Sequence, residues 1–247
     1  MLILILLFFA GLWAGAQNAL AGGGSFVTLP ALILSGLDAR TANIVSTVAL
    51  FPGQVLSGVA GAPMVSGTKS LSFRVLFALS IVGGALGGIL LLYTPSRFFA
   101  GLVPWLVLFA TCMFALGSFG PKPAKPKPDL GLVGTGVAQF LIAIYGGYFG
   151  GGIGFLMLAA LTAAGLPVRN AGATKNALAG VMNASAVVIF LYLVSFDWPR
   201  VLALGLGAII GGQIGVWMLK RVDEKKLRVG VVCIGIILTI ALFIRGA

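Results

Sequence analysis

The sequence predicts an all-α integral membrane protein made of two inverted-topology repeats. Each repeat is expected to be a helical hairpin broken by glycines, followed by three transmembrane helices. The chain has 247 residues, of which 60% are hydrophobic and only 9% are charged, whereas soluble domains carry about 25% charged residues. Apolar runs long enough to cross a bilayer, at about 20 residues each, recur along the whole chain.

The two halves of the chain share residues at a nearly constant spacing. The matched positions are Gly22-Gly23 and Gly151-Gly152, Gly36-Leu37 and Gly165-Leu166, both 129 residues apart, and Gly83-Gly84 and Gly211-Gly212, 128 residues apart. Glycine-interrupted hydrophobic segments at corresponding places in two halves are typical of secondary transporters. In such proteins the interruptions point to the binding site.

The apolar runs place helices in the same order in both halves. In the first repeat (1–120), we expect helices near 2–20, 26–36, 40–62, 70–93 and 98–118. In the second repeat (130–247), we expect them near 130–148, 154–164, 168–194, 199–219 and 226–245. Residues 121–129 lie between the repeats and alternate proline with lysine, which favours an extended, solvated linker.

The segments 26–36 and 154–164 are too short to cross a bilayer. At a rise of about 1.5 Å per residue, each reaches roughly half of the hydrocarbon thickness. Each segment therefore either continues the helix before it as one interrupted span or folds back beside that helix as a hairpin.

The distribution of basic residues favours the hairpins. Outside the apolar segments, hairpins put 11 Lys and Arg residues on one side of the membrane and 4 on the other, whereas interrupted spans give 8 against 7. Because basic loops stay in the cytoplasm, we expect a cytoplasmic linker and both termini outside. Each half then makes three net crossings, so the two halves are inserted in opposite orientations.

Composition also excludes several classes of protein. The net charge of +11 does not indicate nucleic-acid binding, because the basic residues lie in short loops between apolar runs, and we expect contact with membrane lipid instead. The chain has no His, and its two Cys residues lack C-x-x-C spacing, so we expect no metal and no cofactor. No nucleophile–base pair is visible, and we do not expect an enzyme.

Small residues mark two helices for close packing. Gly83, Gly84, Gly87 and Gly88 form overlapping G-x-x-x-G pairs, and Gly207, Gly211 and Gly215 form the equivalent run. Small faces let helix backbones approach closely in lipid. Packing within the protomer is one interpretation, and the interface of a homo-oligomer is the other.

The glycine interruptions are the first candidate site. They comprise Gly22, Gly23 and Gly24 in the first repeat and Gly150, Gly151 and Gly152 in the second. The helix that follows each interruption starts with free backbone amides and a partial positive charge. Two such helix starts near the midplane suit an anion. The alternative is that the glycines only permit tight packing of the hairpins.

Lys175 is the second candidate, because it lies inside an apolar segment between Thr174 and Asn176. An intramembrane lysine costs about 2.5–3.5 kcal/mol and usually faces an aqueous cavity. All five acidic residues fall in predicted loops or helix ends, so an anionic ligand is the attractive partner. The alternative is that Lys175 snorkels to the cytoplasmic interface.

Uncharged polar residues in apolar helices complete the candidate binding site. They are Ser25, Asn43, Ser46, Thr47 and Gln54 in the first repeat and Thr174, Asn176 and Asn183 in the second. The spacing of 129 residues pairs Ser46-Thr47 with Lys175-Asn176 and Gln54 with Asn183. Each single hydroxyl is weak evidence, because Ser and Thr often bond only to their own helix.

Three stretches of this sequence resemble a known family. They are AGGGSFVTLPALILSGLDARTAN, FGGGIGFLMLAALTAAGLPVRNAGATKNALAG and DWPRVLALGLGAIIGGQIGVWMLKRV. They look like the TauE/SafE sulfite-exporter family, also called the toluene-sulfonate uptake permease family. The resemblance implies transport of sulfite, sulfoacetate or other sulfonates across the bacterial inner membrane.

We therefore expect a transporter of small sulfur-containing anions, most simply an exporter. Outward movement of a monoanion from a negative cell interior gains about 2.3 kcal/mol per 100 mV without a coupling ion. The alternatives are a transporter or channel for another small anion, a cation-coupled permease and a non-transporting membrane subunit.

Overall fold

The computed structural model describes residues 1–20, 23–60, 62–120, 130–218 and 224–245. The first half forms α1 (Leu2–Leu20), α2 (Ser25–Leu34), α3 (Ala39–Ala60), α4 (Phe73–Tyr93) and α5 (Ser96–Phe119), with a 3-10 turn at Ala62–Met64. The second half forms α6 (Gly131–Tyr148), α7 (Ile153–Ala163), α8 (Val168–Leu193), α9 (Trp198–Met218) and α10 (Glu224–Arg245). The all-helical prediction is confirmed for these residues. The predicted linker, 121–129, lies outside them.

The helices identify a multi-pass membrane protein. Within the described residues, four helices are both long and apolar enough to cross a bilayer: Phe73–Tyr93, Ser96–Phe119, Gly131–Tyr148 and Arg169–Leu193. Large apolar side chains are exposed on the outer surface of the fold, including Trp13, Phe98 and Trp105, each about 60% exposed. Such a surface suits lipid rather than water.

The first glycine interruption turns the chain back beside α1. Gly23 has a φ of +81°, a conformation that glycine adopts without strain. Gln17 Nε2 donates a hydrogen bond to the Gly23 carbonyl at 3.0 Å, and the Gly24 amide donates to Asn18 Oδ1 at 3.4 Å. Polar side chains in the last turn of α1 therefore satisfy the backbone of the returning chain.

The second interruption turns the chain from α6 into α7. Gly150 and Gly152 both have a φ of +76°. A side chain on Gly152 would also collide with the backbone and side chain of Ala110 on α5. Residue 152 therefore requires glycine for two reasons, its backbone conformation and its close contact with α5.

The predicted glycine faces pack inside the protomer. Gly83 and Gly87 of α4 lie against α6 near Ala143 and Ile144. Gly207 and Gly211 of α9 lie in the same way against the backbone of α1. The close backbone approach confirms the intraprotomer interpretation of these two faces.

The contacts between helices follow the order of the repeats. α1 packs against α9 as α6 packs against α4, and α3 packs against α9 as α8 packs against α4. Likewise, α2 packs on α3 as α7 packs on α8. Helices in equivalent sequence positions thus occupy equivalent places in the contact pattern.

Helix directions can be read from residues in contact. Gly84 of α4 lies against Met182 of α8, and Gly88 lies against Ala186, so α4 and α8 run in the same direction.

The central pair α3 and α8 runs antiparallel. Gly58 of α3 lies against Ala177 of α8, whereas the earlier residue Gln54 is hydrogen-bonded to the later residue Asn183.

Asp38 begins α3 as a capping residue. Its Oδ1 accepts hydrogen bonds from the backbone amides of Arg40 and Thr41, both at 3.2 Å. Partial burial raises the pKa of Asp38, but hydrogen bonds from Thr41 and Ser96 and the charge of Arg40 outweigh it, so the pKa lies below its usual value. The stabilisation is therefore present at neutral pH and is lost as the pH falls through this lowered pKa.

Candidate functional site

A cavity of about 90 Å³ lies where the two glycine interruptions meet. Residues from both repeats line it. They are Gly15, Asn18, Gly23, Ser25, Leu50, Gly53 and Gln54 from the first repeat and Gly150, Gly152, Ile153, Gly154, Lys175, Asn176, Ala179, Ala208 and Gly212 from the second. We refer to this space as the central cavity.

The starts of two short helices border the central cavity. Ser25 is the first residue of α2, and Ile153 and Gly154 are the first two of α7. The first amides of a helix have no acceptor within that helix, and the helix start has a partial positive charge. Among the described residues, the amides of Phe26, Val27 and Phe155 already donate to the carbonyls of Gly23, Gly24 and Gly152. The donors that remain at the two helix starts are therefore the amides of Ser25, Ile153 and Gly154, and both helix starts contribute positive potential.

Lys175 supplies the charge. It is the only charged residue among the described residues that line the cavity, and it is half-buried. Its Nζ approaches the start of α7, 3.5 Å from where a Cβ on Gly154 would lie. Lys175 forms no hydrogen bond or ion pair with another described residue. The ion pair that the described chain does contain joins Arg200 Nε and Asp197 Oδ2 at 3.2 Å, outside the cavity.

The two repeats differ at equivalent positions around the central cavity. Gly53 borders it, but the equivalent position of the second repeat is Met182, whose side chain is fully buried. Similarly, Gly15 of α1 borders the cavity where Ile144 occupies the equivalent position of α6. The second repeat therefore has larger side chains at these two equivalent positions.

Seven of the predicted site residues meet at the cavity. They are Gly23, Ser25, Gln54, Gly150, Gly152, Lys175 and Asn176. Gly24 and Gly151 each neighbour a lining glycine in the sequence but do not line the cavity themselves. Gly24 is buried, and a Cβ on Gly151 would meet the ring of Phe149. Gly22 lies outside the described residues.

The predicted polar residues of α3 other than Gln54 form hydrogen bonds with other protein groups. Asn43 Nδ2 donates to the Tyr148 carbonyl at 3.0 Å, and Thr47 Oγ1 donates to the carbonyl of Asn43 one turn earlier at 2.9 Å. The hydroxyls of Ser46 and Thr28 are 2.6 Å apart and buried. None of these side chains lines the cavity.

The remaining predicted residues of α8 also have protein partners. Thr174 Oγ1 accepts a hydrogen bond from the Ser66 amide at 3.0 Å and donates one to the Ser66 carbonyl at 3.1 Å. This pair of bonds fastens the segment before α4 onto α8. Asn183 does not line the cavity but donates to the cavity residue Gln54.

Several cavity residues are absent from the predicted site. Asn18 had a visible signal, because it is a polar residue in an apolar helix. Gly15, Ala208 and Gly212 lie where α1 packs against α9. That contact joins elements far apart in sequence, and small residues alone do not identify it.

A second cavity, of about 550 Å³, lies at the other end of α8. Its lining includes Arg40, Thr41, Tyr93 and Val194. Arg40 Nη1 donates hydrogen bonds to the carbonyls of Leu92 and Thr94 at 3.1 and 3.0 Å.

Packed apolar side chains separate the two cavities. Along α3, Val45 and Val48 are buried between the residues that line the central cavity and those that line the second one. Along α8, Val187 and Phe190 are buried in the corresponding interval. Along both helices, buried apolar side chains therefore lie between the two cavities.

These features define a polytopic α-helical membrane protein with an internal cavity, where Lys175 is the one charged side chain among the described lining residues. Among the described residues, no cluster of His, Cys, Asp and Glu side chains is present that would hold a metal. The chain belongs to the TauE/SafE sulfite exporter family, whose model matches residues 7–242.

Relatives that align along most of their length are named as transporters. The chain is 29% identical to the "probable membrane transporter protein ORF9" of a Sinorhizobium species, over 97% of this chain and 92% of the relative. It is 28% identical to a "probable membrane transporter protein" of Haemophilus influenzae, over 96% and 93%. It is 26% identical to the "probable membrane transporter protein YfcA" of Escherichia coli K12, over 96% and 88%. The protein is thus a membrane transporter rather than an enzyme.

Proposed function

We propose that this transporter moves small sulfur-containing anions, such as sulfite, sulfoacetate or other sulfonates, and binds them in the central cavity. The observation that carries the proposal is the placement of Lys175. Its ammonium group lies at a cavity bordered by two helix starts and has no carboxylate partner among the described residues. Partial removal of a charge from water is costly unless the charge is paired, and an anion would supply the missing partner.

The size of the cavity favours a compact anion. Its volume of about 90 Å³ is small beside pockets for drug-sized ligands, which measure about 300–1,000 Å³. A sulfite ion or the head group of a short sulfonate suits this space, whereas an aromatic sulfonate would require the cavity to expand.

We further propose that the two halves form an inverted-topology repeat of hairpins. The directions of the central helices support this arrangement. Hairpins require α4 and α8 to run parallel and α3 and α8 to run antiparallel, and the contacts of these helices have those directions. Interrupted spans would reverse both relations.

The proposed setting is the bacterial inner membrane, with both termini outside and the linker in the cytoplasm. Export is the favoured direction, because the membrane potential drives a monoanion outward by about 2.3 kcal/mol per 100 mV. The buried apolar side chains that lie between the two cavities along α3 and α8 favour a transporter that changes conformation over an open channel.

Two alternatives keep the same cavity. One is transport of a different small anion, and the other is coupling to a cation. A homo-oligomer is also compatible with the proposal, but it would use a surface other than the glycine faces, which are packed inside the protomer.

Flux in proteoliposomes tests the proposal. Purified protein should accelerate efflux of labelled sulfite, and an inside-negative potential should raise the rate of outward movement. Failure to transport sulfite, sulfoacetate and a short alkyl sulfonate, with chloride or a cation transported instead, would reject the sulfur-anion assignment.

A further inference from the structure

The amide side chains of Gln54 and Asn183 meet where the two repeats join. They occupy equivalent positions, 129 residues apart, and Asn183 Nδ2 donates a hydrogen bond to Gln54 Oε1 at 2.6 Å. Two equivalent residues in direct contact must lie close to the axis that relates the repeats. The pair is nevertheless unequal, because Asn183 is buried, at 2% exposure, and Gln54 is half-buried and lines the central cavity.

The hydrogen bond couples the orientation of the Gln54 amide to that of Asn183. Its oxygen accepts from Asn183, and its nitrogen, Nε2, forms no hydrogen bond with another described residue and remains accessible. An amide nitrogen has two N–H donors, whereas its oxygen only accepts. With the oxygen occupied, Gln54 presents donors to the cavity.

We infer that Asn183 is a positioning residue that holds Gln54 as a hydrogen-bond donor to the transported anion. The inference rests on the proposed anion function. Gln54 then supplies neutral donors from the first repeat, and Lys175 supplies positive charge from the second. Asn183 acts through Gln54 and does not touch the anion.

The polarity of the pair decides what Gln54 presents to the cavity. Asn183 Oδ1 is buried and has no hydrogen-bond partner within the described part of the chain. Turning both amides over would give the opposite polarity, with Gln54 Nε2 donating to Asn183 Oδ1 and the Gln54 oxygen facing the cavity. An oxygen there would repel an anion, so only the observed polarity suits anion binding.

A double-mutant cycle on sulfite affinity tests the inference with purified full-length protein. Gln54→Leu should raise the Kd for sulfite about 10-fold to 100-fold, the effect of losing one hydrogen bond to a charged group. Asn183→Leu should raise it about 5-fold or more, because the Gln54 amide is no longer held. The double variant should bind no more weakly than Gln54→Leu, since Asn183 then has nothing to orient.

Gln54→Glu provides a variant that keeps the bond from Asn183. Its carboxylate still accepts from Asn183 Nδ2 but offers no donor, so sulfite affinity should fall at least as far as in Gln54→Leu. Gln139→Leu is the matched control. It removes a buried amide that bonds Ser80 Oγ at 2.8 Å and does not line the cavity, and the Kd should stay unchanged.

The contrary outcomes distinguish the positioning role from the proposed function. Additive losses in the cycle, or wild-type affinity in Gln54→Glu, would overturn the positioning role while leaving the proposed function intact. Absence of sulfite binding by the wild-type protein would overturn the proposed function and this inference with it.

Discussion

Replacement of Lys175 by methionine removes the charge from the central cavity and keeps most of the side-chain volume. The ammonium group is the only formal charge among the described residues that line the cavity. Loss of one partner from a buried charge pair costs about 2–5 kcal/mol of binding free energy. We therefore expect the Kd for sulfite to rise about 30-fold to a few thousand-fold.

The same substitution should leave folding intact. Without a bound anion, Lys175 has no ion-pair or hydrogen-bond partner among the described residues, so its burial costs free energy that no protein contact offsets. The melting temperature of the ligand-free Lys175→Met variant should equal or exceed that of the wild type.

Isothermal titration calorimetry in lipid nanodiscs measures the Kd, and differential scanning calorimetry measures the melting temperature. The matched control is Lys69→Met, the same change at an exposed lysine that does not line the cavity. Equal sulfite affinities in the wild type and Lys175→Met would refute the assignment of Lys175 to the anion and would favour snorkelling.

Three further predictions concern other parts of the fold. Gly152→Ala should abolish transport and lower stability, because residue 152 has a positive φ and contacts α5, whereas Gly101→Ala, in open helical surface, should have little effect on flux or melting temperature. Thr174→Val should destabilise the protein by about 1–3 kcal/mol by removing two hydrogen bonds, yet leave sulfite affinity unchanged. Single cysteines replacing Lys125 and Gly246 should react with an impermeant maleimide from the cytoplasmic side and the outer side, respectively.

Each of these predictions has a clear contrary result. Wild-type flux from Gly152→Ala would show that the turn tolerates a side chain. A large loss of affinity in Thr174→Val without a loss of stability would assign its hydroxyl to the ligand. Labelling of position 125 only from outside would reject the proposed orientation.

The helices of the fold could be predicted from the sequence because the signal is local. The length of each apolar run and the glycines between the runs predict ten helices, and the structure has helices at all ten places. The repeat spacing also pairs Gln54 with Asn183, and these two side chains are in contact.

The composition of the site was less predictable, because it depends on which polar groups already have partners. Ser46 and Thr174 have the right chemistry and location, but their hydroxyls bond Thr28 and Ser66. Conversely, Ala208 lines the cavity through packing between α1 and α9, which no local pattern indicates. The sequence therefore predicted Lys175 and the two helix starts, whereas the other lining residues depend on three-dimensional packing.

A structure with a bound anion is the most direct test of the central claim. Selenite replaces the sulfur of sulfite with an anomalously scattering atom, so an anomalous difference map locates it without ambiguity. We predict a single strong selenium peak in the central cavity, in contact with Lys175 Nζ, Gln54 Nε2 and the backbone at the starts of α2 and α7. A peak elsewhere, or one held only by residues of the second repeat, would contradict a shared site between the two halves.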